Sequence, residues 1–444
     1  RGDWRIGNLH LAHPLSVACY LQDFYKEIRN MTNYKQITCD LALAGVLLSH
    51  ATVLAQTKKM NLQQCVQMAV ENSPQMQVER MQVERAKALQ GTAWDIDKTD
   101  ISLSQDPTSG GSPDNALSIS QTIEFPTLYA ARHGQLKAET QAERSRGQVV
   151  RKDLENEVKR TYFQLVYEEE RLRVLGARDS VLERYHYIAQ KRLEAGETRR
   201  LEMLSAERLL RENKMEVALA QSEAENVRLQ LTRLVGSETP VQPADAQLRA
   251  LDYVQRSFNY SLTPEGQYAH DRLAATDKAL TVAKNGYAPS LTLVLRNQLV
   301  ITSWDPYHQD RSRFDGGNFM GFEVGVGVPL FFGATKAKVK AARKEVEIAR
   351  LEMQQEQQVL QQEYLAGLSR CNAAFSRLSY YQGEGRRSAQ ELERLSSMEY
   401  ENGEITYIEY ATALQESLDA RMKMISAIND FNQSVIALEK ITGE

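Results

Sequence analysis

A single duplication constrains this chain more than any other feature of its sequence. Leu193-Glu194-Ala195-Gly196-Glu197 falls on Tyr400-Glu401-Asn402-Gly403-Glu404 at an offset of 207. The same offset carries Leu201 to Ile408, Leu231 to Leu438, Leu234 to Ile441 and Gly236 to Gly443, and runs back to Ile123 and Phe125 on Leu330 and Phe332. Upstream the offset is 190, with Ser73-Pro74 on Thr263-Pro264 and Ile101 and Leu103 on Leu291 and Leu293, so 17 extra residues lie between Leu293 and Leu330. A period near 200 residues means two copies of one large unit and excludes a solenoid of short repeats. The units are placed at 56–236 and 263–443, joined by a linker over 237–262.

Each unit changes its hydrophobic period midway. Met320 to Leu330 alternates, with Phe322, Val324, Val326 and Val328 on one face and Gly321, Glu323, Gly325 and Gly327 on the other. Leu117, Ile119 and Ile123 alternate with Ser118, Ser120 and Thr122 in the first copy. Period two marks strands, and each unit is predicted to hold a pair, at about 98–125 and 290–331. One apolar and one polar face suits a barrel with lipid outside and water inside, and equally a soluble sandwich with one wet face. The stretches Asp106 to Asp114 and Ser303 to Gly317 read as polar loops.

After the strands come helical runs, Pro126 to Gly196 and Gly333 to Gly403, each followed by more helix to Gly236 or Gly443. Val158, Tyr162, Leu165, Leu172, Leu175, Leu182 and Tyr185 keep near-heptad steps, the mark of coiled-coil packing. At ~1.5 Å per residue, a run of about 70 residues spans roughly 105 Å. The AlaGlyGlu and AsnGlyGlu segments read as tight turns at the far ends of two helical hairpins.

Charge and composition then exclude whole classes. No stretch approaches the ~20 apolar residues of a spanning helix, so helical transporters are excluded. The 54 basic and 58 acidic groups give a net charge of -4 with no basic block, which removes nucleic acid as a partner. Cys19, Cys39, Cys65 and Cys371 lack zinc or disulfide spacing; Cys65 and Cys371 read as packing residues, and Met68, Met76 and Met81 as core. Asp305, His308, Asp310 and Asp315 read as a solvated loop and not as a metal site. Gly325 and Gly327 do not continue into a dinucleotide fingerprint, and Gly333-Ala334-Thr335-Lys336 lacks P-loop spacing, so no catalytic residue, cofactor or metal is expected. Met31 opens a polar head, an apolar run from Leu41 to Leu48 and a small-residue end at Ala55, which reads as a signal peptide over 31–55. Residues 1–30 read as upstream sequence or a pro-segment. Cys39 follows Gln36-Ile37-Thr38, which is no lipid-attachment signal.

The order helix, two strands, long hairpin, and the same again resembles the TolC family of outer-membrane efflux channels. The resemblance runs from about residue 58 to 443 and rests on Leu62 leading into Ala69-Val70-Glu71-Asn72-Ser73-Pro74, on Gln121-Thr122-Ile123, on the paired GlyGlu turns and on the endings Leu234-Val235-Gly236 and Ile441-Thr442-Gly443. It implies a mixed, mainly α fold: a homotrimer whose twelve strands, four per chain, form a β-barrel in the outer membrane, continued by a periplasmic helical barrel. Four strands alone cannot close a barrel, so association is required on physical grounds; only the resemblance selects three copies over two. It implies an efflux or secretion channel working with a periplasmic adaptor (membrane fusion protein) and an inner-membrane transporter of the RND type. The adaptor would dock at Gly196, Glu197, Gly403 and Glu404, and the periplasmic gate would use Glu409, Tyr400 and Glu202. A basic partner expected near 405 is Ile405, and a second acid near 412 is Thr412. The stretch Tyr400 to Tyr410 resembles the heavy-metal branch of CusC and CzcC, although the chain has no lipid-attachment signal and no Met or His ladder. Drug efflux, type I secretion and an exported structural coiled coil are the alternatives.

Overall fold

The computed structural model describes residues 58–107, 113–299 and 319–443. The extension and signal peptide expected in residues 1–55, and the acids Asp305 to Asp315, lie outside the described residues.

The elements run β1 (Lys58–Met60), α1 (Leu62–Asn72), α2 (Pro74–Leu89), a 3₁₀ turn (Gln90–Trp94), β2 (Asp100–Pro107), β3 (Pro113–Glu124), α3 (Pro126–Glu194) and α4 (Arg200–Val235). The second half follows with β4 (Val241–Pro243), α5 (Pro264–Asn285), β5 (Ser290–Leu299), β6 (Phe319–Gly327), α6 (Gly333–Tyr380), a π turn (Tyr381–Gly385), α7 (Arg386–Glu401) and α8 (Tyr407–Thr442). The helix–strand–strand–hairpin unit therefore occurs twice. Local chemistry sets its boundaries. Asn61 accepts from the Gln64 backbone N–H at 2.8 Å while Gln64 returns the bond to Asn61 at 3.0 Å, a reciprocal cap on α1. Proline opens α2, α3 and α5, where its missing N–H costs no helical bond. Gly236 and Gly443 close α4 and α8 in the left-handed region.

The second long run differs from expectation. The first is one helix of 69 residues, whereas the second is divided by the π turn at Tyr381–Gly385 into α6 and α7. Gly383 and Gly385 weaken the helical ladder there, and Tyr380 and Tyr381 stack edge to face at 5.1 Å beside the widened turn. Strands also reach further than the loop reading allowed: β2 and β3 stay in register out to Pro107 and Pro113.

Packing centres on the middle of the helices. Val158, Tyr162, Leu165 and Leu231 are fully buried there with Cys65, Val235 and Val241, as the heptad stripe predicts. Burial pushes the Cys65 thiol up to about 11, so it stays a neutral packing group. Met76 joins this core and Met68 packs on its edge, but Met81 is 58% exposed, correcting its assignment to the core. The short parallel pair β1 and β4 and the segment after it wrap the helices. Tyr162 donates to Asp245 at 2.6 Å. The fully buried Asn432 accepts from the Leu251 N–H and donates to the Arg249 carbonyl, both at 2.8 Å.

Candidate functional site

The two ends of the molecule carry its functional features. At one end lies the antiparallel sheet, in the order β2-β3-β5-β6. Register aligns Ile101, Ile119, Leu295 and Phe322 in one row, and Ile123, Leu291 and Val326 in another. All these point to one face because strand side chains alternate. That face is open: Phe322 is 85% exposed and Leu103 73%. The opposite face carries Ser102, Ser118, Ser120, Thr122, Thr292, Glu323 and Gly325, and the hydroxyls of Thr122 and Thr292 bond across the strands at 3.1 Å. β2 and β6 are edge strands with unpaired backbone groups along their outer sides. Just beyond the strands, Trp94 stacks on Tyr129 at 5.5 Å and Tyr287 meets Phe332 at 5.8 Å. Aromatic rings at the rim of an apolar strand band are the pattern of a membrane interface.

At the other end lie the hairpin tips. Gly196 and Gly403 have φ of 72° and 76°, and the N–H of the next residue reaches back to Arg192 and Glu399 at 2.9 and 2.8 Å. These are paired Schellman closures in which the glycine is required by conformation. A side chain at either glycine would meet nothing within 4 Å in this chain. Both tips therefore present open backbone, flanked by Glu197 and Glu404.

The three residues expected at the gate lie near these tips. Glu202 and Glu409 each stand third in the helix that leaves a tip. Thr406 caps α8, and its backbone N–H and hydroxyl donate to the Glu409 carboxylate at 2.8 and 2.9 Å. Those bonds, the backbone one foremost, hold the Glu409 carboxyl below the usual carboxylate range, so it is ionised at neutral pH. Glu202 instead lies 3.4 Å from the Arg192 guanidinium and accepts from Thr198. Tyr400 stacks on Tyr410 at 4.9 Å and meets Tyr407 edge-on at 5.5 Å. Tyr407 reaches Tyr185 of the first hairpin at 6.2 Å, and burial raises the pKa of both phenols. Tyr400 thus packs on one small core with Tyr185, Tyr407 and Ala206, Glu202 lies close enough to Tyr185 for its charge to raise that phenol's pKa further, and Glu409 caps its own helix.

Further contacts between the hairpins went unread in the sequence. Arg178 reaches Asp419 at 3.6 Å, and Arg421 lies 3.4 Å from the buried Glu170, while Arg178 also bridges Glu216 of its own hairpin at 3.3 Å. Nothing local marks such pairs, since the partners are far apart in the chain. Among the described residues no helix is long and apolar enough to cross a membrane, and no group of three or more His, Cys, Asp or Glu is placed to hold a metal.

Comparison with known proteins supports this arrangement. Residues 264–444 match the outer membrane efflux protein family. No curated protein matches. Among solved structures, the outer-membrane channel OprN superposes with a TM-score of 0.68 at 17% identity, over 86% of this chain and 89% of its own. CusC gives 0.70 at 16%, over 87% and 94%, and the open-state MtrE outer membrane channel of Neisseria gonorrhoeae 0.69 at 18%, over 86% and 89%. These identities speak to fold. The family match lies on the second repeat and the channel fold spans both, so the chain has the fold of these outer-membrane channels, and its second repeat is similar to the outer membrane efflux protein family.

Proposed function

We propose that three copies of the chain close into a twelve-stranded barrel and form the outer-membrane exit of a tripartite pump, with a periplasmic adaptor on the hairpin tips and an RND-type transporter in the inner membrane. The observation that carries this is the sheet: four antiparallel strands with an apolar outer face and two unpaired edges. Neither lipid nor water satisfies such edges at membrane depth, and an antiparallel junction of β6 with the next copy's β2 removes both. The open tips at Gly196 and Gly403 support adaptor docking, because a partner's backbone can approach there without displacing any side chain.

Heavy-metal cations are the proposed cargo. The resemblance of Tyr400 to Tyr410 to the CusC and CzcC branch supports it, as does the ionised Glu409, three of which in a narrow passage favour cations. Drug efflux and protein secretion are the competing cargo classes.

The test is growth of a strain lacking this chain on copper, zinc and cobalt salts and on a drug panel, alongside electrophoresis of the outer-membrane fraction. A heat-labile oligomer and metal sensitivity restored by the gene are expected. A monomer extracted without detergent would instead mark an exported structural coiled coil, and drug sensitivity alone would move the cargo to the second class.

A further inference from the structure

Within the chain, α3 and α5 run antiparallel away from the sheet because the strands they adjoin, β3 and β5, are neighbours. One level of their seam is polar, where Asp271 accepts from Ser145 at 2.5 Å and from Gln141 at 3.2 Å, and the levels nearer the sheet carry only Ala and Gly. In a closed ring, β6 of one copy meets β2 of the next. That is the second strand of one repeat against the first strand of the other, the same relation that β3 bears to β5. The helices adjoining those edges, α6 and the next copy's α2, must then pack as α3 packs on α5.

The repeat offsets turn one seam into the other, 207 for the helix after the strands and 190 for the helix before them. Gln141 and Asp271 become Ile348 and Met81. Ser145 becomes Glu352, whose carboxylate is already tied to Arg272 of its own chain at 2.8 Å, which leaves Ile348 to meet Met81. One turn nearer the sheet, Ala138 and Ala275 become Glu345 and Arg85. A turn further, Gly134 and Ala279 become Ala341 and Leu89. In the single chain Met81 is 58% exposed, Ile348 47% and Leu89 43%, and Arg85 and Glu345 are exposed as well.

We infer that the seam between copies is α6 against the neighbour's α2, with Ile348 on Met81, Glu345 on Arg85 and Ala341 on Leu89. This rests on the ring proposed above and adds which surfaces meet and in what register. The mapping has no adjustable shift, yet apolar falls on apolar and acid on base. Sliding the helices by one turn would set Leu89 against Glu345 and Arg85 against Ile348, losing both kinds of match. The chemistry also differs between seams in the direction association demands. The α3–α5 seam is tethered by the chain, whereas the seam between copies must offset lost translational freedom, and burial of apolar side chains supplies that.

The experiment is a paired-cysteine crosslink in the full-length protein in its membrane. Met81→Cys with Ile348→Cys, oxidised, should shift the heat-denatured band from about 50 to about 150 kDa, reversibly with reductant; neither single variant should shift, nor should Met81→Cys with Ala341→Cys. A ring of normal size in mild detergent that fails to crosslink at 81 and 348, or crosslinks at 81 and 341, overturns the seam and leaves the ring reading intact. A monomer in detergent overturns the ring and the seam together. Should the cysteines impair folding, Arg85→Glu and Glu345→Arg decide the matter: each alone should lower the heat resistance of the oligomer and the double variant should restore it, while absence of restoration refutes the register.

Discussion

Glu202 and Glu409 are equivalent residues of the two repeats, each third in the helix leaving a tip, yet one is bound to the arginine of the preceding helix and the other to the threonine that caps its own. The difference follows from the cap positions, Arg199 in the first copy and Thr406 in the second. Only threonine offers a hydroxyl there. Thr406→Ala should cost about 0.5–2 kcal/mol of local helix stability, read as faster amide exchange over the first turn of α8, whereas Arg199→Ala should leave α4 unchanged. A carboxyl lowered in the folded state stabilises above its unfolded pKa and loses that contribution as pH falls through the folded one, so the turn should lose protection only once the pH falls below the ordinary carboxylate range. Glu409→Ala should also reduce cation selectivity and block by trivalent cations in single-channel recordings; unchanged recordings would place it outside the pore.

Glu265 gives the opposite sign. Burial, foremost, with the charges of Asp153 and Glu356 raises its carboxyl pKa against the opposing pull of Lys440. A raised carboxyl destabilises the fold as pH climbs past the unfolded pKa. Glu265→Gln should therefore raise the thermal midpoint at pH 7, with the gain shrinking toward pH 4.

Asn432 fastens the segment after β4 to α8 through two backbone groups. Asn432→Leu strands both, at about 1–3 kcal/mol each. Limited proteolysis should then cut near Arg249, and the denaturation midpoint should fall.

The two faces of the sheet should respond oppositely to charge. Phe322→Lys puts an ammonium on the apolar face at a cost of about 2–4 kcal/mol near mid-bilayer and should abolish the membrane oligomer. Ser118→Lys, on the other face, should leave the oligomer intact and change conductance.

Gly403→Ala should cost about 1–2 kcal/mol through its positive φ alone. Gly403→Trp adds bulk where this chain has no atom within 4 Å, so the oligomer should persist while export stops. Normal resistance of cells carrying the tryptophan variant would rule out docking at this tip.

Periodicity made the architecture legible. The alternation at Met320 to Leu330, the heptads through Tyr185 and the tip glycines are local patterns, and the strands, long helices and turns follow them, except that β6 ends at Gly327, short of the expected bound at 331, where Pro329 has no N–H for the ladder. Three features escaped for physical reasons. The π turn at Tyr381–Gly385 changes the helical pitch without adding a residue, so the offset of 207 passes through it unmarked. Met81 looked like core because a helical stripe carries no sign of which neighbour will cover it. The Arg178 and Arg421 bridges join residues hundreds apart, and only folding reveals them.

Each copy brings an even number of strands, and its first and last strands run in opposite directions. Any number of copies can therefore join edge to edge without one parallel pair, whereas an odd count would force a mismatch at every junction. Parity leaves the copy number free. In the proposed ring the size of the pore is then set by how sharply the sheet and the helices beneath it curve, so a lineage could widen or narrow it by altering packing at the seams without rewiring a single strand.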